Sequence, residues 1–223
     1  MIDSVTLAER GHVVVPRLIA PADCRALAAS WAEEGRFRSR VVMQRHGFGQ
    51  GEYQYFAYPL PETVERLRQT LYPGLAAVAN RWAEQLGQKH RFPATLPAWL
   101  RQCHAGGQRR PTPLLLRYGA GDYNCLHRDL YGDLVFPLQA TILLGEPDRD
   151  FTGGEFMLVE QRPRQQSRGE VVPLRQGDAV VFAVNERPVK GARGFYRSAM
   201  RHGVSTVRSG ERFTLGIIFH DAA

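Results

Sequence analysis

The spacing of apolar residues changes along the chain, from a helical rhythm in the first half to short alternating segments in the second. In PADCRALAASWAEEGRF, Pro21 and Asp23 are helix-start signals, and apolar residues recur at helical spacing between positions 24 and 31. This pattern predicts a helix that ends near Gly35.

A second apolar pattern with helical spacing follows in PETVERLRQTLYPGLAAVANRWAEQLG. It predicts a longer helix that is interrupted near Pro73-Gly74, because proline lacks the amide donor that a helix interior needs. The helix is expected to stop at Gly87.

Between these helices lies RVVMQRHGFGQGEYQYFAYPLP, whose glycines and alternating aromatics predict a strand, a flexible loop and a second strand. Aromatic rings flanked by arginine are used to stack bases and to follow phosphates in nucleic-acid-binding proteins. The alternative is that these rings seal a β core against the helices. The rings and the flanking arginines are Phe48, Tyr53, Tyr55, Phe56, Tyr58, Arg40 and Arg45.

From Pro111 onward the chain reads as short strands separated by turn signals. The segments are TPLLLRYG, the stretch ending at LHRD, LVFPLQATILLGEP, GGEFMLVEQ, GEVVPLRQGDAVVFAV, the run ending at MRHGVSTVRSG, and ERFTLGIIFHD. Their regular spacing predicts an α+β fold with a barrel or jelly-roll core and the N-terminal helices packed on one face. We expect residues 1–110 to be a helical region of the same domain and residues 111–223 to be its β core.

The composition is basic, and almost all of the positive charge is arginine. The 223 residues include 29 Lys plus Arg against 22 Asp plus Glu, which gives a net charge of +7, and lysine occurs only at positions 89 and 190. Arginine suits planar contacts with phosphate, so a nucleic-acid partner becomes more probable. A moderately basic pI is also common in arginine-rich proteins that do not bind nucleic acid.

Three widely spaced cysteines, Cys24, Cys103 and Cys125, argue against both a disulfide framework and a CxxC zinc site. The N-terminus lacks a basic segment followed by a long apolar run, and no eighteen apolar residues occur in succession. We therefore expect a cytoplasmic protein that is monomeric or weakly associated and does not enter a membrane.

The stretch LHRDLYGD contains a candidate metal site. On a strand, residues two apart share a face, so His127 and Asp129 would present an imidazole and a carboxylate side by side. His202, at a strand end in RHGVSTVRSGERFTL, is the best candidate for a third ligand. Two histidines and one carboxylate form the facial triad of non-haem Fe(II) oxygenases.

The strand RFTLGIIFH carries a candidate anion site. Arg212, Thr214 and Gly216 share one face of it, and the other face is continuously apolar. An arginine inside a β core is costly unless it meets an anion, and a dicarboxylate co-substrate would supply one.

These motifs resemble the HxD…H…R pattern of the 2-oxoglutarate/Fe(II)-dependent oxygenases, which fold as a double-stranded β-helix. RYGAGDYNCLHRD, FTGGEFMLVE and LRQGDAVVFA are similar to the ordered strands around the ligands of that superfamily. A closer resemblance, over RPTPLLLRYGAGDYNCLHRDLYGDLVFPLQ and GIIFHDA, is to a bacterial family of such oxygenases described as acting on alkylated nucleic acid, as AlkB-type enzymes do.

The resemblance implies Fe(II), 2-oxoglutarate and O2 as cofactor and co-substrates, with His127, Asp129 and His202 as catalytic metal ligands. It also implies that Arg212 and Tyr118 hold the 2-oxoglutarate, although a tyrosine such as Tyr118, taken by itself, is more often a core residue. The implied function is oxidative demethylation of nucleic-acid bases, a form of DNA repair. The alternatives are a hydroxylase of a protein side chain or small molecule, and a non-catalytic jelly-roll binding domain.

Three further residues lie beside the candidate ligands. Asn124 and Tyr131 either line the substrate opening or pack as ordinary loop residues. Arg128, between the two ligands, is expected on the opposite face of the strand and away from the metal.

Overall fold

The computed structural model describes residues 2–130 and 132–223, and Tyr131 lies outside the described residues. The helices in this part of the chain are α1 (Ser4–Arg10), α2 (Pro21–Ala29), α3 (Glu62–Gln85) and α4 (Leu96–Ala105), with short 3-10 turns at Ser30–Ala32 and Met43–His46. The strands are β1 (His12–Val15), β2 (Phe37–Val42), β3 (Gly49–Gln50), β4 (Glu52–Phe56), β5 (Leu114–Tyr118), β6 (Tyr123–His127), β7 (Leu138–Leu143), β8 (Phe151–Gly153), β9 (Phe156–Gln161), β10 (Arg168–Val172), β11 (Ala179–Ala183), β12 (Glu186–Gly191), β13 (Gly194–Val204), β14 (Val207–Gly210) and β15 (Arg212–Ile217).

Two antiparallel sheets form the β core. The major sheet has the strand order β1-β11-β7-β15-β5-β4-β2, and the minor sheet has the order β10-β9-β13-β6-β3, with β12 also paired to β13. Strands β14 and β8 form a separate two-stranded sheet. Strands that follow one another along the chain often lie in different sheets, as β10 and β11 do, which confirms the predicted double-stranded β-helix.

The helices cover the major sheet through apolar and aromatic contacts. Helices α2 and α3 contact β15. Tyr72 of α3 packs against Phe136 and Phe219 with ring centroids 5.1 and 6.1 Å apart. Within the described chain, no helix is both long enough and apolar enough to cross a membrane.

The predicted interruption of the long helix is wrong, because α3 runs for 24 residues through Pro73. Pro73 and Gly74 are both exposed, whereas Leu71 and Leu75 on either side are buried. The carbonyl oxygen one turn before Pro73 therefore lacks a backbone donor but faces solvent, where water can donate a hydrogen bond to it. Core packing holds the helix together.

Other boundaries also differ from the sequence expectation. The helix that begins at Pro21 ends at Ala29 and continues only as a 3-10 turn to Ala32, short of Gly35. Helices α1 and α4 and strand β1 were not predicted at all. In contrast, the two strands expected around the aromatic stretch are confirmed as β2 and β4, and the expected loop between them contains the Met43–His46 turn and the additional short strand β3.

A buried ion pair ties α3 to the end of the chain. Arg68 is fully buried, and its Nη2 lies 2.7 Å from Oδ1 of Asp221. Arg68 also donates to the carbonyl oxygens of Ile218 and His220, and Nε2 of His104 lies 2.8 Å from Oδ2 of Asp221. These contacts fix the segment that follows β15, and with it the position of β15 itself.

Candidate metal and co-substrate site

A cavity of about 250 Å³ lies between the two main sheets and contains most of the candidate residues. Thr214 on β15 reaches it from the major sheet, and His202 on β13 reaches it from the minor sheet. The interior of the jelly roll is therefore a pocket at this level, and its wall is made by both sheets.

His127 and His202 come together because β6 pairs with β13. The two residues are direct cross-strand partners, so their side chains lie on the same face of the minor sheet. Their imidazole rings are tilted by 50° with centroids 4.2 Å apart. Residues 75 positions apart in sequence thus become neighbours through strand register alone.

Asp129 completes this group, but not in the way the strand pattern suggests. Strand β6 ends at His127, so Asp129 lies in the loop beyond it and its position is not set by strand alternation. Its Oδ1 lies 3.3 Å from Nε2 of His127, and its Oδ2 lies 3.4 Å from Nε2 of His202. Gln139 on β7 donates from Nε2 to Oδ2 of Asp129 at 2.8 Å and orients the carboxylate.

The donor set fits a divalent iron ion. The ligand atoms of His127, Asp129 and His202 all lie within 4.8 Å of one another. Nδ1 of His127 lies 2.8 Å from the Cys125 carbonyl oxygen, an acceptor, so this nitrogen carries the proton and Nε2 keeps its lone pair for a metal. Two imidazoles and one carboxylate on one side leave three coordination positions free.

The protonation states of Asp129 and His202 also suit a metal. Burial alone would raise the pKa of the Asp129 carboxyl, but hydrogen bonds with His127 and His202 hold that pKa well below its usual range. Burial lowers the pKa of His202. Burial opposes protonation of His127 as well, but contact with Asp129 outweighs it and raises the pKa of this more exposed imidazole. Asp129 is therefore ionised and His202 neutral at pH 7, as metal ligation requires.

Arg212 lines the same cavity as a buried cation with no acidic partner. Its side chain is 1% exposed, and burial lowers the pKa of its guanidinium to about 10. Nη1 makes only a long 3.5 Å contact with Oγ1 of Thr214, and Nε has no hydrogen-bond partner. Across residues 2–130 and 132–223, no carboxylate lies within 4.0 Å of this guanidinium. Such a group is complementary to an anion that enters the cavity.

Tyr118 stands beside Arg212, as its direct partner across β5 and β15. The ring is fully buried, with the Arg212 Cζ 5.6 Å from its centroid, and burial raises the pKa of the phenol to about 12. Asn124 donates from Nδ2 to the phenol oxygen at 3.3 Å. Both Tyr118 and Asn124 line the cavity, so the phenol is a neutral hydrogen-bonding group near the arginine.

The second of two successive glycines leaves room for Arg212. Gly153 and Gly154 have φ of +72° and +63°, the left-handed region that glycine adopts without strain. A Cβ on Gly154 would lie 2.7 Å from Cδ of Arg212 and 2.9 Å from Cγ2 of Val207. The space beside Gly216, which shares the face of β15 that carries Arg212, is filled by Leu114.

Several lining residues were missed or misplaced by sequence reasoning. Gln139 carries no motif, since only the pairing of β7 with β11 and β15 brings it to Asp129. Arg128 was expected to face away, but it lines the cavity, because strand alternation stops at His127. The aromatics Phe48, Tyr53 and Tyr55 also line the cavity. Sealing of the β core against the helices is therefore not enough to explain these rings.

Comparison with known sequences gives one family and two relatives. The model of a family described as "Oxygenase, catalysing oxidative methylation of damaged DNA" matches residues 51–222. Two uncharacterized proteins, from Mycobacterium tuberculosis strains CDC 1551 / Oshkosh and ATCC 25618 / H37Rv, are each 50% identical over 190 residues. These matches cover 85% of this chain and 79% of each relative.

Comparison with solved structures supports the fold. A Pseudomonas putida prolyl-4-hydroxylase is similar with a TM-score of 0.55 at 17% identity, covering 99% of this chain and 97% of that one. A Burkholderia pseudomallei oxidoreductase of the 2OG-Fe(II) oxygenase family is similar with a TM-score of 0.55 at 20% identity, covering 99% of this chain and 91% of that one. At these identities the likeness concerns the fold.

Proposed function

The chain belongs to the oxygenase family whose model matches residues 51–222, and from this premise we propose that it is an Fe(II)- and 2-oxoglutarate-dependent dioxygenase that demethylates alkylated bases in nucleic acid. One observation carries the proposal. A single cavity holds both the His127, Asp129 and His202 group and a buried arginine, Arg212, that forms no ion pair within the part of the chain that the structure describes. Those are the two features that an iron site and a dicarboxylate co-substrate require.

Each cavity residue then has a defined task. His127, Asp129 and His202 would hold Fe(II), which supplies the redox chemistry that couples decarboxylation of 2-oxoglutarate to hydroxylation of a substrate C–H bond. Arg212 would pair with the carboxylate of 2-oxoglutarate that is remote from the keto group, and Tyr118 would donate a hydrogen bond beside it. Gln139 keeps the Asp129 carboxylate in place.

The overall reaction balances without another reductant. One O2 and one 2-oxoglutarate convert a methyl group to a hydroxymethyl group and yield succinate and CO2. On a methylated ring nitrogen, the hydroxymethyl product loses formaldehyde and restores the base. The protein residues need only bind, orient and exclude water, and the burial of Arg212 and Tyr118 supports that role at the closed end of the cavity.

The aromatic lining supports a base as the substrate. Phe48 is 39% exposed and stacks on His46 with ring centroids 5.3 Å apart. Tyr53 and Tyr55 meet edge to face at 5.4 Å on the same side of the cavity. Rings in this position offer stacking surfaces to a planar base that is turned out of its strand.

The test is succinate and formaldehyde formation by protein loaded anaerobically with Fe(II), then mixed with O2 and 2-oxoglutarate. We expect an oligonucleotide with an N-methylated base to stimulate both products. His127→Ala should abolish them, whereas His90→Ala, at an exposed histidine outside the cavity, should not.

The outcomes separate the alternatives. Succinate that forms without any response to methylated DNA or RNA would remove the nucleic-acid substrate and favour hydroxylation of a protein side chain or a small molecule. If no turnover is detected, or if the turnover is unchanged in His127→Ala, only a non-catalytic binding domain would remain.

A further inference from the structure

Arg128 has no role in the proposed chemistry, yet it lies between two metal ligands in the sequence and lines the same cavity. Unlike Arg212, it is exposed. The cavity therefore has one buried arginine and one at its solvent side. Among the described lining residues these two are the only arginines or lysines.

The charge of Arg128 is not neutralised by the protein. Its Nη1 donates to Oδ1 of Asn185, a neutral amide, at 3.2 Å. The adjacent Asp129 is not available, since one of its oxygens faces His127 and the other faces His202 and Gln139. In the described part of the chain no carboxylate lies within 4.0 Å of the Arg128 guanidinium.

Asn185 gives this arginine a preferred direction. It lies in the short link between β11 and β12, on a different part of the chain from the metal ligands. The hydrogen bond holds one edge of the guanidinium and leaves the other donors of its planar fork free. An arginine restrained in this way is prepared to bind an anion with little further loss of side-chain entropy.

The surroundings indicate which anion. The same cavity presents the Phe48, Tyr53 and Tyr55 rings, so a cation and stacking surfaces occur together. A nucleotide offers a planar base and a phosphate in that combination, and arginine is well matched to phosphate. An aliphatic or uncharged peptide substrate would use the rings but would leave the cation unpaired.

We propose that Arg128 binds a backbone phosphate next to the target base, and so makes the enzyme act on a nucleic-acid strand in preference to a free base or nucleoside. This inference rests on the proposed function and assigns a specificity role to a residue inside the ligand motif. The contact is to the backbone, so it selects for a polymer and not for a sequence.

The experiment pairs a protein variant with a substrate variant. Wild type and Arg128→Gln are assayed on an oligonucleotide with an N-methylated base, in which the flanking linkages are phosphodiesters or neutral methylphosphonates. In the wild type, removing the phosphate charge should lower kcat/KM by about 5- to 20-fold, the range for one charge-assisted contact that remains partly hydrated. In Arg128→Gln the kcat/KM values for the two oligonucleotides should be almost equal, because the contact between residue 128 and the phosphate is already lost.

Arg201→Gln is the matched control. Arg201 is an exposed arginine next to the ligand His202, as Arg128 is next to His127, but it does not line the cavity. We expect it to keep the full wild-type response to methylphosphonates. Arg128→Lys should recover part of that response, and the slope of log affinity against log salt should fall by about one in Arg128→Gln.

Each outcome decides the assignment. An equal methylphosphonate effect in wild type and Arg128→Gln would overturn the Arg128 contact and leave the demethylase intact. The same would follow if Arg201→Gln lost the effect as fully as Arg128→Gln. If methylated nucleic acid stimulated no turnover in any of these proteins, the proposed function would fail and the Arg128 contact with it.

Discussion

Replacing Arg212 should stabilise the protein while it removes co-substrate binding. The guanidinium is buried, no carboxylate of the described residues lies within 4.0 Å of it, and burial lowers its pKa to about 10 from the usual 12.5. A pKa shift of that size means that the charged guanidinium destabilises the ligand-free folded protein by about 3 kcal/mol. Arg212→Met removes the charge and keeps much of the volume, so we expect a gain of about 1–3 kcal/mol in the free energy of unfolding.

Equilibrium denaturation and thermal unfolding measure this effect. For a chain of this size, the expected gain raises the Tm by roughly 3–10 °C. The second measurement adds 2-oxoglutarate to anaerobic Fe(II)-loaded protein. At about one hundred times its Kd, the co-substrate should stabilise the wild type by roughly 2.7 kcal/mol and the variant hardly at all.

The control is Arg117→Met on the neighbouring strand β5, where a half-exposed arginine pairs with Glu211. Removing an ion pair near the surface should change stability by less than about 1 kcal/mol and should leave the co-substrate effect intact. The reasoning is refuted if Arg212→Met unfolds more easily than the wild type, or if 2-oxoglutarate still stabilises it fully.

Three further changes test other parts of the structure. Gly154→Ala places a Cβ 2.7 Å from Cδ of Arg212, so KM for 2-oxoglutarate should rise by roughly tenfold or more while Gly169→Ala, with open space around it, leaves it unchanged. His220 has a pKa lowered to about 4, chiefly by burial. As the pH falls, this histidine is therefore protonated in the unfolded state before it is protonated in the folded state. The free energy of unfolding should fall by up to about 3 kcal/mol as the pH drops from about 6.5 to 4. His220→Gln should flatten that part of a denaturation-against-pH curve, and an unchanged slope would contradict the assignment. Pro73→Ala restores an amide donor inside α3 and should raise the free energy of unfolding by about 1–3 kcal/mol in urea titrations. No gain, or a loss, would contradict a cost of the proline to this helix.

The sequence predicted the parts of the fold that depend on local alternation. The faces of β15 follow directly from a two-residue period, and Arg212 and Thr214 do line the cavity while Leu215 and Ile217 are buried elsewhere. Helix α4 could have been found, because LPAWLRQCHA has proline at its first turn and apolar residues at helical spacing. Strand β1, with four residues, is too short for periodicity to identify.

The contacts that arise between distant segments could not be predicted in the same way. Strand alternation placed Asp129 beside His127 for the wrong reason, since the carboxylate is brought there by a loop and held by Gln139. The same error sent Arg128 to the opposite face. A residue pattern shows which groups a strand presents while it lasts, but the end of a strand depends on its neighbours in the sheet.

The charges of the cavity give a reason for an arginine between His127 and Asp129, the two proposed metal ligands. Among the described lining residues, Arg128, Arg212 and Asp129 carry the formal charge, so the free cavity has one net positive charge. A divalent iron ion adds two positive charges and 2-oxoglutarate removes two. The loaded cavity would therefore still carry one net positive charge. If Arg212 pairs with the co-substrate as proposed, Arg128 at the solvent side would be the cation without a counter-ion. A single phosphate would complete the neutralisation, whereas without Arg128 the loaded cavity would be neutral and would itself add no attraction for a nucleic-acid strand over a neutral substrate.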